Sequence, residues 1–494
     1  MKGKFTVLAL CILLTGCGSK VSDTSSDTTV HTTSGTDSAP AEDGEDTVIT
    51  MAVIGEVSDG LSEAINDFNA EPNGCRVEVK SYIQTLGDDG MPIGLTNEDI
   101  SKNDFELIQD IINTDDIDIV GSFSFGNASK YEILKRKGAF ADLYKFMEDD
   151  PEVNPSLLNS HILQLNEIDG KLYSMPAFYT FETLIGRTEY AGSNENWTID
   201  EFIDHWDAMP AGSTVNGANE AENIYYDILR ANTEAFVDYD SAQVNFDSPD
   251  FRKMLEFCKR FPSNGGEKGS YDYNAPRLVA KAWVMNYGGA VFTELNTSAW
   301  QEKSYHLKDG EYTFVGYPSS DGRGAYLMSS GFDYSICASS SEAKQRGAWE
   351  FIRRFYTEDS QLENSAERYD HADPETGENV VSYSLQNGFC LNNAARRKVA
   401  ENMVSGLYDG ENQSVTVQGH TVDQEEDHLE MADCEFLDRY MDSIDRWEAA
   451  NMDGELFDII EPEVMAYLRG SQDLDYTVDM IQNRASVWIS EQAQ

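Results

Sequence analysis

Basic residues are scarce in this chain. Its 494 residues include 36 Lys and Arg against 88 Asp and Glu, which gives a formal net charge of −52. Nucleic-acid binding requires clustered basic side chains that neutralise phosphates, so this imbalance excludes a nucleic-acid-binding protein. The acidic residues are spread along the chain, as in residues 423–427. This pattern indicates a solvated, repulsive surface, with a dedicated cation site as the alternative.

Cysteine and histidine are also few, with seven of each. Beyond the first seventeen residues the cysteines are Cys75, Cys258, Cys337, Cys390 and Cys434. An odd number at wide spacing excludes a disulfide framework and predicts that most of these thiols are buried. There is no Cys-x-x-Cys motif and no histidine pair at helical ligand spacing, so we expect neither zinc nor a cofactor.

Complete catalytic motifs are missing. Ser341 and Lys344 have the Ser-x-x-Lys spacing without its usual partner motifs, and a serine in that place is normally a helix cap. There is no phosphate-binding lysine loop, and Asp453-Gly454 lacks the upstream ligands of a calcium loop. With 88 carboxylates, some pair will lie at the separation of a glycosidase by chance, so a hydrolase stays an alternative. We expect that the protein is not an enzyme.

Long apolar runs are absent after the N-terminus. There, Lys2 and Lys4 precede an apolar stretch from Phe5 to Leu14, which is too short to span a bilayer and is typical of an export signal. The end of this stretch, 14–17 (Leu-Thr-Gly-Cys), resembles the bacterial lipobox. We therefore predict a signal peptide over residues 1–16 and a lipidated Cys17. A chance cysteine behind an ordinary signal peptide is the alternative.

Residues 18–46 are rich in Ser, Thr, Asp and Gly and carry almost no apolar side chains. Such a segment cannot bury enough surface to fold, so residues 17–46 form the lipidated cysteine and a flexible linker with a reach of roughly 30 Å. We expect a protein on the extracellular face of a bacterial, Gram-positive cell membrane. Its contact with the membrane would be through the lipid anchor only.

The rest of the chain alternates strands and helices. A buried strand (48–54), an amphipathic helix (61–68) and an alternating strand (77–82) give a β-α-β start. A helix at 105–112 then leads to a short strand at 118–120, followed by the loop 121–126. This order predicts an α/β fold with a parallel sheet, whose loops at the carboxyl ends of the strands face a ligand.

Several short motifs keep a common order over nearly the whole folded part. They are 118–120 (DIV), 137–143 (KGAFADL), 167–176 (EIDGKLYSMP), 197–202 (WTIDEF), 316–324 (GYPSSDGRG), 348–353 (AWEFIR) and 481–484 (IQNR). In this the chain resembles the family 1 extracellular solute-binding lipoproteins, which are the sugar-receptor subunits of ABC importers. The likeness is weakest over 211–301 and 370–446, where ligand identity would be encoded.

The resemblance implies a two-lobe fold of the periplasmic-binding-protein type (type II), with hinge strands between the lobes. We place lobe one at 47–177 plus 314–360 and lobe two at 178–313 plus 361–494. The region of Pro176 and the segment 312–318 are extended and end in proline, as crossing segments would be.

Sugar recognition needs planar polar groups for hydroxyls and aromatic faces for the rings. On this ground Phe123 and Phe125, in the loop after the third strand, are candidate ligand contacts. In the segment 178–182, alternation sends Phe178 and Thr180 one way and Tyr179 and Phe181 the other. One set can face the cleft, so we include Tyr179, and Glu182 as a hydroxyl acceptor. Core burial, or a solvated carboxylate for Glu182, is the alternative.

Further candidates lie downstream. Residues 283–289 read as a strand that ends in a glycine pair, and in relatives the matching region presents an aromatic side chain to the ligand. This implies Trp283 and Tyr287, with core burial as the alternative. Residues 329–334 return to lobe one beside the cleft, and we add Phe332 and Asp333. Trp197, before a capping box, and Trp349, at helical spacing with Ile352, are expected to be structural.

The resulting hypothesis is a monomeric, lipid-anchored receptor. It binds a carbohydrate, an oligosaccharide, in the cleft between its lobes and delivers it to the permease of an ABC transporter. A receptor for a non-sugar solute on the same scaffold is the alternative, followed by a surface glycan hydrolase or an adhesion protein.

Overall fold

The fold was analysed in a computed structural model. It describes residues 46–55, 57–82, 97–126, 128–229, 233, 235–238, 241–265, 275–296, 301–306, 311–322, 324–372, 379–385, 387–405, 415–417, 420–422, 429–447 and 454–492. The predicted signal peptide, Cys17 and the linker up to residue 45 lie outside the described residues. So does the side chain of Phe332.

The helices of the described residues are numbered in chain order. They are α1 (Asp59–Asn69), α2 (Asn97–Asn113), α3 (Ala128–Arg136), α4 (Tyr144–Met147), α5 (Ser160–Leu165), α6 (Thr188–Ala191), α7 (Ile199–Asp207), α8 (Ala221–Ile224), α9 (Pro249–Lys259), α10 (Glu342–Ile352), α11 (Glu358–Ser365), α12 (Asn393–Val404), α13 (Met431–Ser443), α14 (Gly454–Leu468) and α15 (Leu474–Gln492).

The strands are numbered likewise. They are β1 (Thr47–Val53), β2 (Cys75–Ser81), β3 (Ile119–Gly121), β4 (Glu167–Ile168), β5 (Lys171–Leu172), β6 (Met175–Arg187), β7 (Val237–Asp238), β8 (Gln243–Val244), β9 (Ala280–Val284), β10 (Val291–Asn296), β11 (Gln301–His306), β12 (Tyr312–Phe314), β13 (Tyr326–Ile336), β14 (Ala366–Ala372), β15 (Asn379–Leu385), β16 (Phe389–Cys390), β17 (Val415–Val417) and β18 (His420–Val422).

One sheet organises the chain. Its order is β12-β6-β13-β3-β1-β2, and β9 and β16 also pair with β6. β1 is parallel to β2 and β3, whereas the pairs that involve β6 and β13 are antiparallel. The α/β class and the predicted β-α-β start are confirmed. β1, α1 and β2 form where apolar side chains recur at the spacing of a strand, a helix and a strand.

Two large apolar cores and a smaller one pack around this sheet. The first core takes side chains from β1, β2, β3, α1, α10, α12 and α13, and the second from α7, α8, α9, α14 and α15. The third core lies between α2, α3 and the sheet, with Val120 and Phe125 among its members.

Two long strands contribute to both large cores. In β6, Met175 and Tyr179 pack in the first core and Leu184 in the second; in β13, Tyr326 packs in the second and Tyr334 in the first. These strands therefore connect the two packed units, as hinge strands between two lobes do. The exact lobe boundaries stay a prediction: α12 and α13, assigned to lobe two from the sequence, pack in the first core, and α14 and α15 in the second.

The predicted burial of two tryptophans and of most cysteines and the predicted caps of two helices are confirmed. Trp197 is 1% exposed, and Thr198 and Glu201 form the capping box of α7. Trp349 is buried in the first core, and the Ser341 side chain caps α10. The five described cysteines are free thiols and four of them are buried. No helix among the described residues is long and apolar enough to cross a membrane.

Candidate functional site

The residues of β6 alternate between two sides of the sheet, and the strand pairings show which neighbours share each side. Glu182 lies opposite Trp283 of β9 and Tyr326 of β13, and Thr180 lies opposite Met328. Phe178 lies opposite Ser330, and Pro176 opposite Asp333. We call this side the crossing-strand face and define it by Pro176, Phe178, Thr180, Glu182, Trp283, Tyr326, Met328, Ser330 and Asp333.

A β-bulge brings Asp333 to this face. Between the pairs Ser330–Phe178 and Asp333–Pro176, β13 has two intervening residues and β6 has one. Gly331 lies in this bulge with φ +99°, a backbone conformation that glycine adopts without strain. If the same residues of β13 paired one by one with β6 and formed no bulge, Asp333 would be shifted by one position and would point to the opposite side of the sheet.

Trp283 is the half-buried aromatic side chain of the face. Its indole Nε1 donates a hydrogen bond to Thr180 Oγ1 at 2.9 Å. This bond ties Trp283 of β9 to the middle of β6. Met328 and Ser330 beside them are also half-buried, and Gly331 is exposed. The middle of the face is therefore accessible to solvent at an aromatic ring and at backbone.

Glu182 is held at one end of the face. Its Oε1 accepts a hydrogen bond from the Tyr317 hydroxyl at 2.6 Å and lies 2.8 Å from Lys281 Nζ. Tyr317 stacks on Tyr326 with ring centroids 5.2 Å apart. Burial, together with Tyr326 and Glu182, raises the pKa of Tyr317 well above its ordinary value, so this hydroxyl stays a donor.

Asp333 is held at the other end. Its Oδ1 accepts hydrogen bonds from the backbone N–H of Ser122, at 3.0 Å, and from the Ser122 hydroxyl. The loop is fixed further by Ser124, whose hydroxyl donates to the carbonyl of Ala52 and accepts from Gly121 N–H. The structure thus brings the predicted loop after β3 against the predicted Asp333.

The two phenylalanines of that loop lie in different surroundings. Phe123 is half-buried and meets Tyr334 edge-on, with ring centroids 5.5 Å apart. Phe125 is buried in the third core and stacks on Tyr131. Phe123 is partly exposed to solvent, whereas Phe125 would have to be uncovered before a ligand could contact it. Both remain predictions.

Tyr179 and Tyr287 belong to a buried polar network behind the sheet. The Tyr179 hydroxyl accepts hydrogen bonds from Asn159 Nδ2, at 3.0 Å, and from Arg396 Nη1, at 2.5 Å. The Tyr287 hydroxyl donates to Asp438 Oδ1 at 3.0 Å, and Arg396 Nε lies 3.9 Å from the same oxygen. Burial raises the pKa of Asp438 against the opposing effect of Arg396.

Tyr179 points away from the crossing-strand face, because odd-numbered residues of β6 alternate with the residues of that face. Both tyrosines are almost fully buried in the first core. Their predicted contact with ligand would require movement of α12 or α13, and it stays a prediction. The sequence had left open which set of β6 side chains faces a cleft, and the face that carries Thr180 and Trp283 is the more accessible one.

The structure also shows a charged cluster beside Asp333 that the sequence does not predict. Lys135 Nζ on α3 lies 2.5 Å from Glu132 Oε1, donates to Ser174 Oγ at 3.1 Å and stands 4.5 Å from the ring centroid of Tyr131. The Tyr131 hydroxyl is hydrogen-bonded to Ser335 Oγ. Burial raises the pKa of Glu132. Nothing in the spacing of these residues distinguishes them from an ordinary amphipathic helix.

A separate surface cavity of about 420 Å³ lies elsewhere. It is lined by Pro151, Glu152, Ser156, Leu157, Thr357, Glu358, Asp359, Asn392, Asn393 and Ala394. None of the predicted site residues lines it. Within the described ranges, no group of three or more His, Cys, Asp or Glu side chains is placed to hold a metal ion.

Solved structures with the same fold are numerous. A periplasmic oligogalacturonide-binding protein from Yersinia enterocolitica matches with a TM-score of 0.53 and 12% identity, over 91% of this chain and 100% of that one. A chain described as a de novo designed esterase after directed evolution matches with a TM-score of 0.51 and 12% identity, over 91% and 100%. The sugar-binding protein MalE from Xanthomonas citri matches with a TM-score of 0.48 and 13% identity, over 90% and 98%.

At these identities the structural likeness shows the fold and does not show the ligand. No curated protein matches the sequence. The two large cores joined by crossing strands, with a half-buried aromatic and carboxylate face at the junction, define the class of two-lobe binding proteins. A family model described as bacterial extracellular solute-binding protein matches residues 112–370, just over half of the chain. The chain therefore belongs to the family of bacterial extracellular solute-binding proteins.

Proposed function

We propose that this protein is a lipid-anchored extracellular receptor that binds a carbohydrate between its lobes and delivers it to the permease of an ABC transporter. The observation that carries the proposal is the crossing-strand face. It presents a half-buried Trp283 between the carboxylates of Glu182 and Asp333, where the two large cores meet.

The chemistry of this face suits a sugar. An indole ring offers an apolar surface to a pyranose ring, and carboxylates accept pairs of hydroxyl hydrogen bonds. Pro176, opposite Asp333, and Glu182 are six residues apart in β6, a contour of about 20 Å at about 3.3 Å per residue. That contour suits a chain of linked rings better than a single ring.

The two ends of the face belong to differently packed units. Asp333 accepts a hydrogen bond from the loop after β3, which borders the third core. Glu182 accepts a hydrogen bond from Tyr317 of the second core. A ligand that contacts both ends gains contacts only when the units are close together. It would therefore stabilise a closed state by a hinge motion.

The cellular part of the proposal comes from the sequence. An acylated Cys17 with a flexible linker would hold a monomeric receptor at the outer face of a Gram-positive membrane, within reach of a permease. No covalent chemistry is required of the receptor. A non-sugar ligand on the same scaffold is the alternative outcome.

Calorimetry with a panel of mono- and oligosaccharides tests the proposal, with Trp283→Ala as the site variant. Tyr476→Ala is a matched control, because Tyr476 is an exposed aromatic on α15, a helix that contributes no residue to the crossing-strand face. Sugar binding that Trp283→Ala weakens and Tyr476→Ala leaves unchanged supports the proposal. Binding by no sugar of the panel contradicts it, and the appearance of cleavage products would indicate a hydrolase.

A further inference from the structure

The charges of the crossing-strand face limit the kind of ligand that it can hold. Asp333 and Glu182 place one carboxylate at each end, and Glu132 adds a third close to Asp333. The two lysines at these places are already ion-paired: Lys281 lies 2.8 Å from Glu182, and Lys135 lies 2.5 Å from Glu132. Among the described residues, Glu182 and Glu132 each have a lysine partner, whereas no lysine or arginine forms an ion pair with Asp333.

Asp333 differs from the other two carboxylates in its partners. The hydrogen bonds that it accepts come from Ser122 N–H and Ser122 Oγ, both neutral groups. Its negative charge is therefore oriented but not neutralised by these bonds. Hydroxyl groups of a neutral ligand can donate hydrogen bonds to the remaining lone pairs of Asp333. A ligand carboxylate within hydrogen-bonding distance of Asp333 would be repelled.

Two other basic groups are near the site. Arg136, the next residue of α3 after Lys135, acts on Glu132 and lowers the pKa of that carboxyl against the larger effect of burial. Arg396 lies behind the sheet, where it contacts Tyr179 and Asp438. Binding proteins for anionic ligands usually place an arginine or a lysine at each ligand carboxylate. Arginine binds it through the planar guanidinium, and lysine through a single ammonium charge. The net charge of −52 adds a long-range field of the same sign.

We infer that the ligand is a neutral oligosaccharide and that the face selects against oligosaccharides of uronic acids. This inference rests on the proposed function, and it names Glu182 and Asp333 as the residues that determine the selection. Repulsion of the wrong ligand is a common source of specificity, because a like charge costs affinity without altering the contacts to the correct ligand.

The experiment compares matched pairs of ligands that differ only at the sixth carbon. Oligomers of galactose and of galacturonic acid, and of glucose and of glucuronic acid, are matched for linkage and length and titrated into the folded protein by calorimetry. In any pair that shows binding, we expect the neutral member to bind at least about tenfold more tightly, which is about 1.4 kcal/mol. The difference should shrink when salt is added.

Two variants assign the selection to this face. Glu182→Gln and Asp333→Asn each keep one carbonyl oxygen as a hydrogen-bond acceptor and remove one negative charge. Each variant should therefore reduce the difference in affinity between the paired ligands. Asp149→Asn removes the same charge at an exposed position and should leave the difference in affinity between the paired ligands unchanged. Thermal unfolding of each variant verifies that it is folded before titration.

Each outcome has a distinct meaning. Tighter binding of a uronate than of its neutral partner overturns the inference and leaves the receptor function standing. If Asp149→Asn reduces the difference in affinity between the paired ligands as much as the site variants do, the selection does not depend on Glu182 and Asp333. The net negative charge of the whole protein would then be enough to explain it. Binding by neither member of any pair counts against the proposed function itself.

Discussion

At the scale of single residues, Trp283 is the aromatic side chain whose surroundings best suit a ligand. It is half-buried, and its indole Nε1 donates a hydrogen bond to Thr180 on the neighbouring strand. We expect Trp283→Ala to weaken sugar binding by roughly 1–3 kcal/mol, the effect of losing an aromatic anchor from a desolvated site. Calorimetric affinity together with the melting temperature checks this. A large loss of stability at unchanged affinity per folded molecule would rule the contact out.

Tyr287 gives the contrasting case. Its side chain is 2% exposed, packs edge-on against Phe389 and donates to Asp438. We expect Tyr287→Ala to cost about 3–5 kcal/mol of stability, because it leaves a cavity and removes the hydroxyl donor of the half-buried Asp438 carboxylate. Denaturant unfolding measures that loss. The affinity of the folded fraction then tests the predicted ligand contact: a fall supports it, and no change argues against it.

Asp150 links the stability of the protein to pH. Burial raises the pKa of this carboxyl, but hydrogen bonds from Arg353 and from the backbone of Glu152 and Val153 outweigh burial and lower the pKa from 3.8 to about 2. The folded-state pKa lies below the ordinary value, so the carboxylate stabilises the fold above about pH 4. About 2 kcal/mol of this stabilisation should be lost as the pH falls towards about 2.

Melting temperatures of the wild type and of Asp150→Asn between neutral pH and about pH 2.5 test this linkage. Asparagine does not titrate, so the variant should be less stable at neutral pH and the difference should shrink in acid. Asp149→Asn, at the exposed neighbouring position, serves as the control. A difference that stays constant over the whole pH range would contradict the linkage.

At the scale of the elements, the bulge in β13 decides where Asp333 points. A Cβ at Gly331 would meet no atom within 4 Å, so Gly331→Ala is strained only through its positive φ, at a cost of about 1–3 kcal/mol. Gly138 also has a positive φ and open space around it. We expect both alanine variants to lose stability, and only Gly331→Ala to lose affinity as well.

At the scale of the whole molecule, β6 and β13 connect two packed units, and the proposed ligand contacts both. Ligand at saturation should therefore compact the protein, which a smaller radius of gyration in small-angle scattering would show. Trp283→Ala at the same ligand concentration should remain close to the unliganded value. An unchanged radius for the saturated wild type would count against a hinge-closing receptor.

Attachment to the membrane is also a property of the whole chain. We predict that Cys17→Ser releases a soluble protein that still folds and binds ligand, because attachment would depend on the acyl chains alone. Fractionation of cells followed by calorimetry on the released protein checks both parts. Retention of the serine variant in the membrane fraction would contradict the prediction.

Periodicity and capping in the sequence by themselves determined the local elements. The β-α-β start, the cap of α7 and the alternation within β6 depend on neighbours close along the chain, so short-range spacing is enough to predict them. The family resemblance, carried by the order of short motifs, predicted the two-lobe class and proposed Glu182, Trp283 and Asp333 as binding residues.

Only the tertiary structure decided which side of β6 carries the candidate site. Alternation says that Thr180 and Tyr179 point opposite ways, but packing of α12 and α13, from the far end of the chain, covers the side with Tyr179. The bulge at Gly331 likewise shows itself only through pairing with β6. The sequence fixes the spacing of side chains along a strand, whereas their exposure depends on contacts between segments that are distant in the chain.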